Sequence, residues 1–314
     1  MNKGKWAVTH ASTPLAEALL ECMAEQGIDS EDVILLDTEL LSGKRLSYGD
    51  TYIETQDQME FDYENLDAIL LLEQDSELED LLQHADCFVI SHYFDADAEP
   101  VYSPDSTCAT DWSKPKPVKL ANAELSTLLN ILTPLRPKYK LTSLQMVNIL
   151  SVSFFGKPAV DELATQTIGL LNSQKPENQL FPLQLAFNMQ PVVTATGMEN
   201  QLSELLGGSV NCSIQNMLVP AFHGMASSVT LTFKSSIELD AIIAQINKIK
   251  GIKVSAEAVS PMSHCQTGST IYLSMVKRSE QDSRVLQFWM VADSAKNGLV
   301  QNYFNSINSI SQSK

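Results

Sequence analysis

The stretch that decides the fold is WAVTHASTPLAEALLECMAEQ, residues 6–26. Its opening residues, Trp6–Thr9, predict a short apolar strand, and Pro14–Gln26 carries its apolar side chains at helical spacing. The alternation continues along the chain, with predicted strands at Val33–Leu36, Asp67–Leu72 and Cys87–Ser91 and a short helix at Ser76–His84. Strands that alternate with helices predict βαβ units with right-handed crossovers and a parallel sheet.

The pattern changes after residue 122. Phe94–Pro117 mixes prolines with acidic residues and is predicted to be a long loop before the helix Ala123–Leu135. Strands then outnumber helices: strands are predicted at Gln145–Phe155, Ser209–Leu218, Met225–Phe233 and Thr270–Lys277, and helices at Pro158–Leu171, Ser236–Lys248 and about Asn297–Ile310. This pattern is typical of an α+β domain with a mostly antiparallel sheet.

The 314 residues therefore predict an α/β chain of two domains. Residues 1–122 form a Rossmann-like domain with a parallel sheet, which a C-terminal helix at 294–314 rejoins. Residues 123–293 form the α+β domain.

The charge balance excludes some classes of partner. The chain has 38 Asp and Glu against 21 Lys and Arg, for a formal net charge of −17, which disfavours nucleic acid. Arginine, the usual clamp for phosphates and carboxylates, occurs only at Arg45, Arg136, Arg278 and Arg284. No long apolar run or signal-like segment is apparent, so we expect a soluble, cytoplasmic protein without a membrane partner.

Cysteine spacing indicates neither a disulfide framework nor a zinc site. The five cysteines are scattered singly at Cys22, Cys87, Cys108, Cys212 and Cys265. We predict idle or buried thiols and no bound metal.

Four motifs occur in a recognisable order: GKPAVDEL at 156–163, QLAFNMQP at 184–191, Val219-Pro220 followed by Gly224, and LQFWMVAD at 286–293. Together they resemble the aspartate-semialdehyde dehydrogenase family, and more closely its Usg-like homologues. The resemblance implies an NAD(P)-binding-type first domain and a second domain through which the family forms homodimers. It also implies a reaction in which a cysteine thiolate attacks the aldehyde, hydride passes to NADP, and phosphate releases the acyl group.

The residues at the family's catalytic positions cannot perform that chemistry. Leu125 stands at the position of the nucleophilic cysteine, and Met225 at that of the basic histidine. The substrate-binding arginine is replaced by Leu218, and the expected glutamine by Leu150. Ser126, beside Leu125, has a hydroxyl of much higher pKa than a thiol, and we interpret it as a surface or capping residue.

His223 lies two residues before Met225 and leaves one alternative open. On a regular strand it would face the same side as Met225 and could replace the base. Gly224 is expected to break that regularity, and we favour a structural hydrogen bond for His223.

The nucleotide-binding turns depart from the family in the same way. The family's glycines correspond to His10, Thr13 and Ala16 in the first turn, so phosphate access is expected to be lost. Ser12 or Thr13 can still cap the following helix, with Pro14 in its first turn. In the second turn Phe154 and Phe155 are expected to fill space that the cofactor needs.

Two further alignments cross loops. Asp97 occupies the position of a phosphate-binding arginine, and Leu40, near residues 42–44, marks the region that contacts the 2′-phosphate. Both replacements are unsuited to binding phosphate.

We therefore predict a homologue that has lost catalysis and NADP binding and acts in binding or regulation, with an unknown protein or small-molecule partner. It is expected to form a homodimer, because apolar stretches such as Met217–Phe222 need cover. The alternative is an NAD(P)-dependent oxidoreductase of amino-acid biosynthesis with altered active-site residues. A third reading is a sensor that uses the emptied cleft for another small molecule.

Overall fold

In the computed structural model of the chain, the described residues are 4–93, 100, 101, 111–265 and 268–313. Contacts between Cα atoms divide the chain into two compact units. The first unit comprises Met1–Ser126 and Gly298–Lys314, and the second comprises Thr127–Asn297.

The first unit is built on a mostly parallel sheet. Its strands are β1 (Trp6–Val8), β2 (Val33–Asp37), β3 (Arg45–Tyr48), β4 (Thr51–Asp57), β5 (Ala68–Leu71), β6 (Phe88–Ser91), β7 (Pro100–Val101) and β8 (Pro117–Leu120). Their order in the described part of the sheet is β3-β4-β2-β1-β5-β6-β8-β7. Every adjacent pair is parallel except β3 with β4. The central strands β1 and β5 are buried along their whole length, as a sheet covered on both faces requires.

The helices described in the chain have the following bounds: α1 Pro14–Glu25, α2 Ser76–Leu82, α3 Ala123–Leu135, α4 Lys157–Leu171, α5 Met198–Leu205, α6 Leu239–Ile246, α7 Pro261–His264 and α8 Gln301–Ser313. None of the described helices is long and apolar enough to cross a membrane. In the first unit α2 buries Leu78 and Leu82 in a cluster with Ile69 and Leu71 of β5.

The second unit is built on a mostly antiparallel sheet. Its strands are β9 (Leu141–Leu150), β10 (Gln190–Pro191), β11 (Asn211–Leu218), β12 (Met225–Phe233), β13 (Ile252–Val254), β14 (Ile271–Arg278) and β15 (Val285–Ala292). The order is β10-β11-β9-β12-β15-β14-β13 in the described residues. Among the described strand pairs of this unit, only β11 with β9 and β13 with β14 run parallel. The predicted fold class, with a parallel first sheet and a mostly antiparallel second sheet, is confirmed.

Three predicted elements differ from the structure. The predicted loop Phe94–Pro117 contains β7 and ends in β8, and much of it lies outside the described residues. The predicted strand Gln145–Phe155 stops at Leu150 and continues as a 3-10 turn over Val152–Phe155, because Val152 donates its amide to Ala221 rather than to a neighbouring strand.

The predicted C-terminal helix is also two elements, a π-helical stretch at Ala295–Val300 followed by α8. Close packing explains the glycine in this stretch, since a Cβ on Gly298 would overlap the carbonyl of Ala123. Four cysteines lie in the described residues, and all four are free thiols. Cys108 lies outside the described residues.

Candidate functional site

The turn between β1 and α1 holds His10, Thr13 and Ala16, which the resemblance aligns with the family's glycines. His10 has a left-handed backbone with φ of 49°, a conformation that costs energy for a residue with a Cβ. Thr13 is the N-cap, because its Oγ1 accepts the amide of Ala16 at 3.3 Å, and Pro14 begins the helix. The predicted capping of α1 is confirmed, and Thr13 rather than Ser12 provides it.

The backbone amides of this turn donate within the protein. Ala11 donates to the carbonyl of Leu36, and Thr13 donates to that of His10. The amide of Ser12 donates to Asp37 Oδ2 at 2.8 Å, and Asp37 Oδ1 accepts the amide of Thr38 at 2.9 Å. Asp37 is buried at the carboxyl end of β2, so a carboxylate of the chain itself already occupies an anion position at this turn.

A second carboxylate, that of Asp75, contacts the same turn. His10 Nε2 lies 3.4 Å from Asp75 Oδ2, and Gln58 Nε2 donates to that carboxylate oxygen at 3.1 Å. His10 Nδ1 lies 3.3 Å from Thr9 Oγ1. The His10 side chain is therefore held among polar groups of the chain and is buried.

Three of the positions that the resemblance assigns to the family's active site lie side by side in the second unit. Leu150 of β9 is the register partner of both Leu218 on β11 and Met225 on β12. Directly paired residues share one face of a sheet. All three side chains are at most 1% exposed, and Leu218 packs in a cluster with Val152. These three side chains are part of the hydrophobic core of the second unit.

The phenyl rings of the 3-10 turn pack within the second unit. Phe154 meets Phe155 edge to face with ring centroids 5.4 Å apart, within the range of about 4.5–7 Å that aromatic pairs adopt. Phe155 meets Phe181 with centroids 5.2 Å apart. Phe155 also borders the cluster that contains Leu218.

The fourth position, Leu125, lies in the first unit near the start of α3 and is fully buried. The structure corrects the interpretation of its neighbour, because Ser126 is also fully buried and neither a surface nor an N-cap residue. Its hydroxyl donates to the carbonyl of Ala121 at 2.9 Å and accepts from Asn302 Nδ2 at 2.6 Å. Ser126 thus ties the start of α3 to α8.

His223 lies before β12 begins, and Gly224 breaks the strand with φ of 82°. The expected loss of strand regularity at Gly224 is confirmed. A Cβ on Gly224 would come within 2.8 Å of Pro261 Cβ, so glycine is needed for the close approach of α7.

His223 forms a pair with Asp293. His223 Nε2 lies 3.4 Å from Asp293 Oδ2 and 3.2 Å from the carbonyl of Cys265. Both neighbours are acceptors, so Nε2 carries the ring proton and Nδ1 is the nitrogen that can take up another. The hydrogen bond that His223 donates to Asp293 raises the pKa of His223. Burial opposes ionisation of Asp293, but the bonds from His223 and from the amide of Lys296 keep its pKa below the usual value.

The thiol nearest this pair is a poor nucleophile. Cys265 is buried, and burial together with the charge of Asp293 raises its pKa to about 12. In the described part of the chain, no group of three or more His, Cys, Asp or Glu side chains is placed to hold a metal.

All four arginines have contacts within the chain. Arg136 donates to the carbonyls of Leu205 and Leu206, and Arg278 donates to that of Ile237. Arg284 pairs with Asp282 at 2.8 Å, and the Arg45 guanidinium lies over the ring of Tyr52.

Leu40 and Asp97 are the two positions that were aligned across loops. Leu40 projects into solvent with 95% of its surface exposed. Asp97 lies outside the described residues.

Sequence reasoning missed three acidic partners in these arrangements, Asp37, Asp75 and Asp293. A signal existed for Asp37, because dinucleotide-binding folds often carry an acidic residue at the end of the second strand. Asp293 is 70 positions from His223 along the chain, and no local pattern connects the two.

Comparisons with known proteins agree with this architecture. A profile of the semialdehyde dehydrogenase dimerisation domain matches residues 132–295. The chain is 25% identical over 318 residues to a USG-1 protein homologue of Pseudomonas aeruginosa, with 94% of each chain covered. It is 24% identical over 319 residues to aspartate-semialdehyde dehydrogenase 2 of Vibrio cholerae, again with 94% of each covered.

The structure of a probable aspartate-semialdehyde dehydrogenase from Pseudomonas aeruginosa superposes with a TM-score of 0.85. The match covers 98% of this chain and 99% of that chain at 23% identity. At this identity the likeness establishes the fold.

Proposed function

The chain belongs to the semialdehyde dehydrogenase family, and we propose that within it the protein is a binding or regulatory member that has lost the dehydrogenase reaction and NADP binding. The observation that carries the proposal is the set of residues at the family's catalytic positions. Leu125, Leu150, Leu218 and Met225 offer no thiol, imidazole, amide or guanidinium, and all four are at most 1% exposed. Hydrocarbon and thioether side chains neither attack an aldehyde nor move a proton.

The first turn supports the loss of NADP binding. A dinucleotide needs free backbone amides and close approach to the main chain at the start of α1. Here the amides of Ser12 and Ala16 already have acceptors in the chain, and one of these is the carboxylate of Asp37. A pyrophosphate would have to displace that carboxylate or accept its repulsion.

Restoring the two central catalytic groups tests the proposal. In the double variant Leu125→Cys with Met225→His, we expect no phosphate-dependent formation of NADPH from aspartate semialdehyde above a heat-treated control. The other parts of the machinery stay absent, since Leu218 cannot pair with the substrate carboxylate, and catalytic groups act as a unit. NADPH formation by this variant would contradict the proposal.

Both substitutions are at buried positions, so folding must be checked alongside activity. Far-UV circular dichroism and a urea transition like those of the unmodified chain are required before the assay is read. A family enzyme that retains the cysteine and histidine provides the positive control.

The pair of His223 with Asp293 favours a second candidate, an oxidoreductase with a relocated base. A histidine oriented by a carboxylate is an arrangement that enzymes use for proton transfer, and the His223 side chain is half exposed. In this candidate NADP remains the cofactor. Reduced fluorescence or a shifted emission of NADPH on mixing with the protein would support it.

We also propose that the protein is a cytoplasmic homodimer that assembles through its second unit. Within that unit the stretch Met217–Phe222 is a weaker reason than expected, because Leu218 is buried in its own core. The segment 180–193 is a stronger one. Phe187 and Val193 are 68% and 82% exposed, and Phe187 also has a strained φ of 58°.

A further inference from the structure

The sheet of the second unit has one face that is largely open to solvent. Ile149 of β9 is the register partner of Met217 on β11 and of Ala226 on β12, and Ala226 is in turn that of Val291 on β15. Paired residues, and every second residue beyond them, point to the same side of a sheet. We call this side the outer face. It takes four alternate residues from each of the ranges Ser143–Ile149, Asn211–Met217, Ala226–Thr232 and Val285–Val291.

The two faces of these strands differ in burial. The inner face includes Leu150, Leu218 and Met225, which are at most 1% exposed. Of the sixteen residues of the outer face, Ala226 and Val291 are buried, in a cluster with Val259 and Cys265, and the other fourteen are exposed or half-buried. β9 and β12 lie in the interior of the strand order. The open surface is therefore the middle of the sheet and not only its edge.

The outer face carries no charged side chain. Charged residues make up 19% of the chain, whose net charge is −17, yet the outer face holds only amide, hydroxyl and apolar side chains. A strand face that stays in water normally carries charged residues such as lysine and glutamate. Depletion of charge together with half-buried Met217 and Trp289 is instead typical of the core of a protein interface.

The chemistry of the outer face suits a second copy of the chain. Amide and hydroxyl groups both donate and accept, so the face is complementary to itself when it is turned about a twofold axis. Two chains that each carry a charge of −17 repel each other, and they meet most favourably where neither presents a carboxylate. Pro191 of β10 is the register partner of Met217, so the exposed apolar segment 180–193 continues the outer face at its edge.

We propose that two copies of the chain associate through the outer face, sheet on sheet about a twofold axis. Val147 and Trp289, near its middle, supply apolar contact, and Gln145 and Gln215 supply hydrogen-bonding groups. Sheets packed in this way lie about 10 Å apart with interdigitating side chains. The inference rests on the homodimer proposed above and identifies its surface. It does not depend on the loss of catalysis or of NADP binding.

Charges placed on the outer face test the proposal. Gln145→Glu with Gln215→Glu adds two carboxylates per chain at exposed positions with little change in side-chain size. We expect the dissociation constant of the dimer, measured by sedimentation over a dilution series, to rise by roughly tenfold or more, because each added charge enters the interface twice. The control Gln26→Glu with Gln56→Glu adds the same charge at exposed positions of the first unit, and its dissociation constant should stay within roughly twofold.

A partner with the opposite charges gives a second measurement. Gln145→Lys with Gln215→Lys should also dissociate when alone, and a mixture of the lysine and glutamate variants should recover the mass of two chains. Recovery would also show that both variants fold.

The outcomes separate the surface from the dimer itself. An unmodified chain that is a monomer would contradict the proposed homodimer and this inference together. An unmodified dimer whose dissociation constant changes equally in the outer-face and control variants would overturn the assignment of the outer face and leave the homodimer standing. The same holds for a mixture of the two charged variants that stays monomeric.

Discussion

His223 is the residue through which pH acts on the second unit. Its hydrogen bond with Asp293 raises its pKa, while burial and the nearby charge of Lys296 oppose the shift. A histidine with a raised pKa contributes stability that is fully present below the unfolded value of about 6.5. That contribution is lost as the pH rises through the higher folded value.

We therefore predict that the stability difference between the unmodified chain and His223→Gln is larger at acidic than at mildly alkaline pH. Urea midpoints measured across this range provide the test, and His84→Gln, at an exposed position, is the control. A difference that stays constant with pH would show that the pair with Asp293 does not favour the imidazolium.

At the scale of elements, α4 and the segment 177–186 are joined by buried polar side chains. Glu162 accepts the amides of Gln179 and Leu180 at 3.1 and 2.8 Å. Gln166, one turn further along, accepts the amides of Leu185 and Ala186 at 2.8 and 3.2 Å. The motifs at 156–163 and 184–191 are thus connected through one helix, which gives them a role in packing that does not require catalysis.

We predict that Glu162→Ala lowers the free energy of unfolding by about 1–2 kcal/mol, because it removes the buried carboxylate that accepts the amides of Gln179 and Leu180. The neighbouring variant Asp161→Ala removes only an exposed ion pair with Lys157 and should cost less than about 0.5 kcal/mol. Urea unfolding of both variants gives the comparison. Similar losses at positions 161 and 162 would contradict the assigned role of Glu162.

The sequence predicts secondary structure best where apolar residues recur at the regular spacing of a helix or of a strand. The α1 and β12 segments have such patterns, and both are observed within one residue of their predicted ends. The hairpin of β3 and β4 was missed because its strands are mostly exposed and polar. The strand β15 was noted as a motif but not as a strand.

Within the candidate site, the sequence pointed only to the residues that the resemblance aligns with the family's catalytic and nucleotide-binding positions. The resemblance assigns Leu150, Leu218 and Met225 to the family's active site, and the strand register makes them neighbours. The partners of His10 and His223 are Asp75 and Asp293, which lie far away in the chain. Such pairs arise from tertiary folding, and local spacing carries no signal for them.

At the scale of the whole molecule, the matched domain is a dimerisation domain. We predict a dimer in solution, and light scattering should give the mass of two chains over a wide range of concentration. A concentration-independent mass of one chain would contradict the dimer.

Variants in the exposed segment 180–193 of the second unit test where the dimer interface lies. Phe187→Asp with Met189→Asp should shift the mass toward one chain, because two charges would enter an apolar contact. Leu40→Asp, on an exposed residue of the first unit, should leave the mass unchanged.

The account rests most heavily on the claim that the family's dinucleotide site no longer binds NADP. Calorimetric titration of the full chain with NADP⁺ and with NADPH tests this claim directly, with a family enzyme that retains the glycine-rich turn as the positive control. We predict no saturable binding of either dinucleotide at physiological concentration, because the turn at residues 10–16 donates its amides within the chain and Asp37 lies where an anion would bind. A dissociation constant in the low micromolar range for either dinucleotide would contradict the account.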